Sequence, residues 1–378
     1  MRGSERVEGL TESVIREMTR KAIKYDAINL SQGYPEYPMH DKIKESAIQA
    51  IERGRGENQY SITWGKRELR EKLSEKLKNF NDIEYDPEKE ITITCGASES
   101  IMSTMLGLIN EGDEVIIFQP FYENYVPSVT MASGKPVFNT IQNDMSLDFE
   151  GIKNSVNKNT KMILLNTPHN PTGKVFSKKE LEFLRDLCVD YDVIAVTDEM
   201  YEHIVFEGKH ISLASTDNMW DRTITISGFS KAYSVTGWRV GYSAAPNSLM
   251  KSIRKAHDYT TVCSPTPFQT AVIKGLELPD SYYRNMVNYY QKARDFVYEK
   301  LSESELEPSL PYGAYYMMAS LENIDMNDVE YADYLVKEKG VAVVPGTSFY
   351  EYGGKDMVRF CFSQKMDDLS KAMDRILG

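Results

Sequence analysis

Between residues 90 and 245, six short apolar runs alternate with helical stretches. The runs are Ile91–Thr94, Glu114–Phe118, Lys161–Asn166, Val193–Asp198, Thr223–Ser227 and Val240–Ala245. All are too short for buried helices, and they are bounded by turn residues, as strands are. Ser177 to Tyr191 is one of the helical stretches between them. Strands that alternate with helices leave few architectures open. The pattern predicts an α/β fold with a mainly parallel central sheet and helices on both faces.

The flanks read differently. Residues 11–24 form an amphipathic helix with Thr11 as a candidate cap. Ala27 to Pro38 is a brief strand entering a Gly/Pro loop around Gly33, where a ligand can approach the backbone closely. A helix capped by Asp41 follows and ends at Gly54-Arg-Gly56. Leu69, Leu73 and Leu77 form a core-facing stripe on the next helix. From about residue 276 the composition changes to a long helix (280–302), a helix near 329–339, strands at 341–344 and 357–363, and a closing helix at 366–377. The expected division is therefore three-part. Residues 1–39 are an N-terminal arm and part of a small domain, 40–275 a large domain, and 276–378 a small C-terminal α+β domain. A chain of 378 residues accommodates two cores.

Composition narrows the function classes. A net charge of −12 argues against a basic nucleic-acid surface and against binding to an anionic membrane. No apolar run approaches the roughly 18 residues of a membrane span. The polar start Met-Arg-Gly-Ser-Glu-Arg carries no signal-peptide core. The four cysteines show no CxxC pair and the five histidines no metal-ligand spacing, so no metal is expected. A cytoplasmic protein with free thiols is the expectation.

Chemistry concentrates in Thr223 to Gly241. Residues 226–237 contain one charge, Lys231, among small and apolar neighbours. A desolvated amine has a lowered pKa and forms an imine with a carbonyl. The hydroxyls of Ser227 and Ser230 and the guanidinium of Arg239 suit a phosphate. Amine, hydroxyls and arginine together fit an aldehyde cofactor with a phosphate arm, pyridoxal phosphate.

Other candidates follow strands, where open α/β sheets bind ligands. Gly96-Ala97-Ser98 opens a helix whose free N–H groups suit an anion. Phe121, Tyr122 and Tyr125 taken alone read as core. Asn166 to Gly173 contains Thr-Pro and Asn-Pro steps and reads as a rigid loop. His169 within it reads as a loop residue. Asp198 ends an apolar strand, and an acid there needs a cationic partner such as a pyridinium nitrogen. Glu199 reads as a solvated or structural neighbour.

Ser230-Lys231, Gly237-Trp-Arg239 and Gly241, with Asn170-Pro-Thr-Gly173, Asp198 and Tyr201 in the same order, resemble the class I (class I/II) pyridoxal-phosphate-dependent aminotransferases of fold type I. The similarity runs from about Asn29 to Ser363 and is closest to the branch acting on aspartate, aromatic amino acids, kynurenine or methionine. The resemblance implies that Lys231 holds the cofactor and moves the substrate's proton, and that Asp198 keeps the ring nitrogen protonated. Asn170 and Tyr201 reach the ring oxygen, and Tyr122 stacks on the ring. Gly96, Ala97, Ser98, Ser230 or Ser227, and Arg239 bind the phosphate. Arg359 grips the substrate α-carboxylate beside Gly33; an arginine fork suits that job. Tyr60 reaches the phosphate of a neighbouring subunit, which implies a homodimer. Gly228 departs from the hydroxyl residue that some members carry there, so the two serines stay as alternatives. Tyr34 and Tyr37 suggest an aromatic or apolar-friendly pocket, and no second arginine can be placed beside a substrate side chain.

The expected activity is transfer of an amino group from an L-amino acid to a 2-oxo acid, 2-oxoglutarate foremost, by ping-pong kinetics. A cysteine-conjugate or cystathionine β-lyase would use the same residues. A non-catalytic regulator that binds pyridoxal phosphate is a third reading, disfavoured by the absence of an appended helix-turn-helix.

Overall fold

The computed structural model describes residues 3–378. Residues 1 and 2, the start of the polar N-terminus and of the expected 1–39 arm, lie outside the described residues. The centre is a seven-stranded sheet. Its strands stand in the spatial order Ile91–Thr94, Gly241–Ala244, Thr223–Gly228, Ile194–Asp198, Thr160–Asn166, Glu114–Gln119, Lys135–Thr140. Gly241–Ala244 runs antiparallel to both of its neighbours. The pairs from Thr223–Gly228 out to the Lys135 edge are parallel. The mainly parallel α/β sheet is therefore present. Lys135–Thr140 is a strand that the sequence pattern did not reveal. It sits at the sheet edge, only half buried, and carries the Lys and Pro that edge strands tolerate.

Strand periodicity divides the core. Val115 and Ile117 pack with Ile101, Met105 and Ile253 on one face of the sheet. Ile116 and Phe118 pack with Leu181, Leu184 and Leu187 on the other. Each such side chain stabilises the fold by about 1.5–3 kcal/mol on full burial. Residue pairing leaves the carboxyl ends level: Asn166 lies beside Asp198, and Asp198 beside Ile226.

A second, antiparallel sheet joins Val344–Pro345, Met357–Cys361, Tyr316–Ser320 and Glu307–Pro308. Helices Asp280–Ser302 and Met366–Leu377 contribute Met286, Tyr290, Leu369 and Met373 to its core. The N-terminal segment belongs to the same core. Ile28–Asn29 pairs with Val341–Ala342, and helix Val14–Lys24 adds Met18 and Ala22.

Two caps differ from expectation. Ser13, not Thr11, accepts the N–H of Arg16 at the start of helix Val14–Lys24. The His40 ring, not the Asp41 carboxylate, caps helix Asp41–Glu52, because Asp41 already lies in the first turn. Among the described residues, no helix is long and apolar enough to cross a membrane.

Candidate active site

At the carboxyl ends of the parallel strands, facing the second sheet, lies a cavity of about 520 Å³. Gly33, Tyr34, Ala97, Ser98, Tyr122, Asn170, Asp198, Tyr201, Ser230, Lys231, Arg239 and Arg359 all line it. These residues come from the ends of five different strands or the loops after them, from strand Met357–Cys361 of the second sheet and from the N-terminal segment, and only folding brings them together.

Lys231 follows strand Thr223–Gly228. Its Nζ donates to the Gly33 carbonyl at 2.9 Å. Burial pulls its pKa down to about 8; the nearby Arg239 and Arg359 charges act in the same direction. A substantial fraction of such an amine is neutral near pH 8 and available as base or nucleophile.

Asp198 ends strand Ile194–Asp198 and is only 5% exposed. Burial raises its carboxyl to about 6, although Tyr125 donates to Oδ2 at 2.8 Å and the Met200 N–H donates to Oδ1 at 3.2 Å. Neither partner is a cation. The site thus presents a buried acid whose ionised form awaits one. Tyr125, which the sequence assigns to the core, is buried there and also orients this carboxylate. Nothing in its local pattern announces that second contact.

Asn170 is held by its own loop. Its N–H donates to Asn166 Oδ1 at 2.7 Å, and Asn166 Nδ2 donates to the Asp198 carbonyl at 2.8 Å. The peptide bonds before Pro168 and Pro171 are cis. Asn170 Oδ1 accepts from Arg359, which leaves the amide nitrogen as its free donor.

Arg359 sits on the central strand Met357–Cys361 of the second sheet. Its neighbours Val358 and Phe360 join the apolar cluster, whereas Arg359 lines the cavity. It is 1% exposed. Nη1 donates to Asn170 Oδ1 at 3.0 Å and Nη2 to the Ser31 carbonyl at 2.6 Å. The Tyr316 and Phe349 rings flank the guanidinium at 4.3 and 4.7 Å. Nε is buried without a partner. A buried cation with an unspent donor is suited to a carboxylate.

The anion end is built from Gly96 to Ser98 and Arg239. Helix Ala97–Leu108 presents its unpaired N-terminal N–H groups there. Arg239 donates to the Cys95 carbonyl at 3.3 Å and to the Thr236 carbonyl at 3.1 Å. Gly96 has φ 80° and ψ 168°, and a Cβ on it would overlap the Arg239 guanidinium. Only glycine adopts this backbone region readily. Gly96→Ala is therefore expected to cost about 1–3 kcal/mol of stability, read by urea unfolding. It should also displace Arg239 and weaken phosphate binding.

One expectation needs correction. Ser227 is fully buried, and its Oγ donates to Glu202 Oε1 at 3.0 Å, with the Glu199 carbonyl at 3.2 Å as the alternative acceptor of its one proton. It does not line the cavity, so of the two serines only Ser230 is available to a phosphate there. Tyr60, expected to reach a neighbouring subunit, does not line the cavity of its own chain and is 81% exposed on a surface loop. A further surprise adds a residue. Arg16, on the first turns of helix Val14–Lys24, lines the same cavity. Ile15 beside it packs on Phe349, the residue that flanks Arg359. Sequence separation from every other site residue hid this arginine.

His169 is buried beside Thr172, and burial lowers its pKa to about 3. It is neutral and off the cavity, as a loop residue is. Glu199 is buried rather than solvated. It joins Glu202, His210, Asn81, Ser212 and Lys76 in a hydrogen-bonded network directly after Asp198. Against the cost of burial, Lys76 and the flanking histidines hold Glu202 down at about 2. Every carboxylate oxygen in this network already has a donor within the protein.

The residues fit an aldehyde cofactor with a phosphate arm. An amine of lowered pKa, an acid lacking a cation, and an anion cradle too tight for a Cβ share one cavity.

Comparison with known proteins agrees. The family model for aminotransferase class I and II matches residues 25–376. An aspartate aminotransferase of Pyrococcus abyssi is 36% identical over 379 residues, covering 99% of this chain and 97% of that protein. Human kynurenine–oxoglutarate transaminase 3 is 34% identical, covering 99% of this chain and 89% of that protein. The structure of N-succinyldiaminopimelate aminotransferase from Mycobacterium tuberculosis superposes with a TM-score of 0.96 at 33% identity, covering 99% of both chains.

Proposed function

The chain belongs to the class I and II aminotransferases, and from that premise we propose how its own residues carry out the reaction and which acceptor it uses. Like its family, it moves an amino group from an amino acid to a 2-oxo acid with pyridoxal phosphate. The cofactor, when bound, supplies an aldehyde that takes up the amino group and a ring that accepts electrons from the substrate Cα.

Lys231 holds the aldehyde end, and once free it moves the proton at the substrate Cα. Asp198, oriented by Tyr125, keeps a proton on the ring nitrogen. Asn170 and Tyr201 donate to the ring oxygen, and Tyr122 covers the ring. The N–H groups of Ala97 and Ser98, the Ser230 hydroxyl and Arg239 hold the phosphate. Arg359 fixes the α-carboxylate against the Gly33 backbone. One observation carries this assignment: the Lys231 amine, with its pKa near 8, opens on the same cavity as Asp198 and Arg359.

The amino acceptor is 2-oxoglutarate. Arg16 at the cavity mouth supports this choice, since its guanidinium has no ion pair or side-chain hydrogen bond among the described residues. It meets the carboxylate at the far end of the acceptor. Tyr34, also at the mouth and 47% exposed, leaves room for an apolar donor. A homodimer completes the site, with exposed Tyr60 reaching the partner's phosphate. Ile62, Tyr259 and Val262, also exposed, are apolar residues suited to such a contact. The division at residues 39 and 275 and a cytoplasmic location belong to the same proposal. The four cysteines all stand as free thiols.

A screen of amino donors against 2-oxoglutarate, with the holoenzyme, tests the whole. Arg16→Gln is expected to raise KM for 2-oxoglutarate about tenfold, in the range for losing a charged hydrogen bond. KM for pyruvate, which lacks the second carboxylate, should not move. Equal changes for both acceptors would remove Arg16 from substrate selection.

A further inference from the structure

Tyr316 stands where three parts of the site meet, and no motif marks it. It lies on strand Tyr316–Ser320 of the second sheet and lines the cavity. Its hydroxyl is 2.9 Å from the Tyr201 hydroxyl. Its ring lies 4.3 Å from the Arg359 guanidinium carbon. It also covers Gly33 so closely that a Cβ there would overlap the Tyr316 hydroxyl. The Gly33 carbonyl in turn accepts from Lys231 Nζ and from Tyr315 OH, at 2.9 and 3.1 Å.

A hydroxyl has one proton to donate. If Tyr201 spends its proton on Tyr316, it has none for a ring oxygen in the cavity. If Tyr316 donates instead, the Tyr201 proton is free to face the cavity. The surroundings favour the second arrangement. The Arg359 cation lies against the face of Tyr316 and makes its phenol the better donor. Tyr201 lies edge-on to both Tyr315 and Tyr316, and the Lys231 amine over its ring, at 5.9 Å, stands farther off than Arg359 does from Tyr316. Burial raises both phenols, and neither ionises near neutral pH.

We propose that Tyr316 is a positioning residue with two separable jobs. Its hydroxyl donates to Tyr201 and thereby turns the Tyr201 proton toward the cofactor's ring oxygen. Its ring braces the guanidinium of Arg359 in the plane that receives the substrate carboxylate. The inference rests on the assignment of Tyr201 and Arg359 given above.

Two variants of the holoenzyme separate the jobs. Tyr316→Phe keeps the ring and removes the hydroxyl. The midpoint of the pH titration of the bound cofactor's visible absorbance should rise by about 0.3 pH unit, because Tyr201 keeps its proton and loses only the donor that orients and polarises its hydroxyl. The affinity for succinate, a carboxylate that cannot react, should stay within about twofold. Tyr316→Leu removes ring and hydroxyl, and should in addition weaken succinate about tenfold, in the range of a desolvated cation–π contact. Melting curves of both holoenzymes establish that they are folded. A Tyr316→Phe titration midpoint equal to wild type overturns the hydroxyl's role. Unchanged succinate affinity in Tyr316→Leu overturns the ring's role. Failure of the underlying assignment looks different: Tyr201→Phe would then leave the titration midpoint unchanged, and Arg359→Leu would leave the succinate affinity unchanged.

Discussion

Replacing Lys231 with alanine removes turnover by about ten-thousand-fold, the upper end of what a positioned general acid–base contributes. The expectation comes from one side chain having two tasks. The amine is proposed to hold the aldehyde, and among the described residues it is the only group of lowered cationic pKa lining the cavity. No neighbour can take over. His169, beside Asn170 in the Asn-Pro loop, is the histidine that the sequence offers as a base, but it is buried off the cavity and neutral. Two measurements check this. Borohydride treatment followed by denaturation should leave the cofactor attached to wild-type protein and release it from Lys231→Ala. A small primary amine added to the variant should restore part of the rate, since the Asp198, Arg239 and Arg359 contacts remain. A variant that keeps wild-type turnover would remove Lys231 from the mechanism.

Asp198→Asn should lower kcat by about a hundred- to a thousandfold, the range for losing one preorganised electrostatic contact in a closed site. The same substitution has an opposite effect on the protein without cofactor. Burial raises the Asp198 pKa from the ordinary carboxylate value to about 6. The folded state therefore disfavours the ionised form. The resulting destabilisation is absent below the ordinary carboxylate pKa, grows as pH rises, and is complete above about 6. Asp198→Asn should accordingly melt higher than wild type at neutral pH and at the same temperature near pH 4, both measured without cofactor. Adding pyridoxal phosphate should reverse the order at neutral pH, because the ring nitrogen supplies the missing cation. An unchanged melting order in both states would show that Asp198 has another partner.

The two variants also separate holding from tuning. Lys231→Ala loses attachment of the cofactor, whereas Asp198→Asn keeps attachment and loses rate. The roles proposed for Arg16 and Tyr316 lie further out, in substrate choice and in the direction of a proton.

Much of the site was legible because each strand delivers its functional residue at its carboxyl end. A buried strand that ends in Asp198, or runs into the turn before Lys231, exposes a polar group only where the sheet stops. Such residues stand out as charges that break an apolar run. Arg359, a lone charge inside Met-Val-Arg-Phe-Cys-Phe, was singled out by the family resemblance. Ser227 misled because it lies three residues before Ser230 in a small-residue turn. Strand alternation turns it toward Glu202 instead. Tyr125 reads as ordinary aromatic core and Tyr316 stands in no motif, and both are buried. Their hydroxyl contacts arise from elements far away in the chain and leave no local pattern. The edge strand Lys135–Thr140 escaped because Lys, Pro and partial exposure mimic a loop.

The amino-acid order alone determined the layered α/β architecture, since period-two and helical hydrophobic patterns are local and each run must bury its apolar side. It also pointed to Lys231, Asp198 and Arg239 as candidates, because an uncompensated charge in an apolar run has few explanations, whereas Arg359 came from the family resemblance. Only the tertiary structure decided that Arg16 reaches the cavity, that Ser227 does not, and that Tyr316 joins Tyr201 to Arg359. Those outcomes depend on how two sheets and an N-terminal helix pack against one another. Packing is set by the sum of many nonlocal contacts, which no single stretch of the chain encodes.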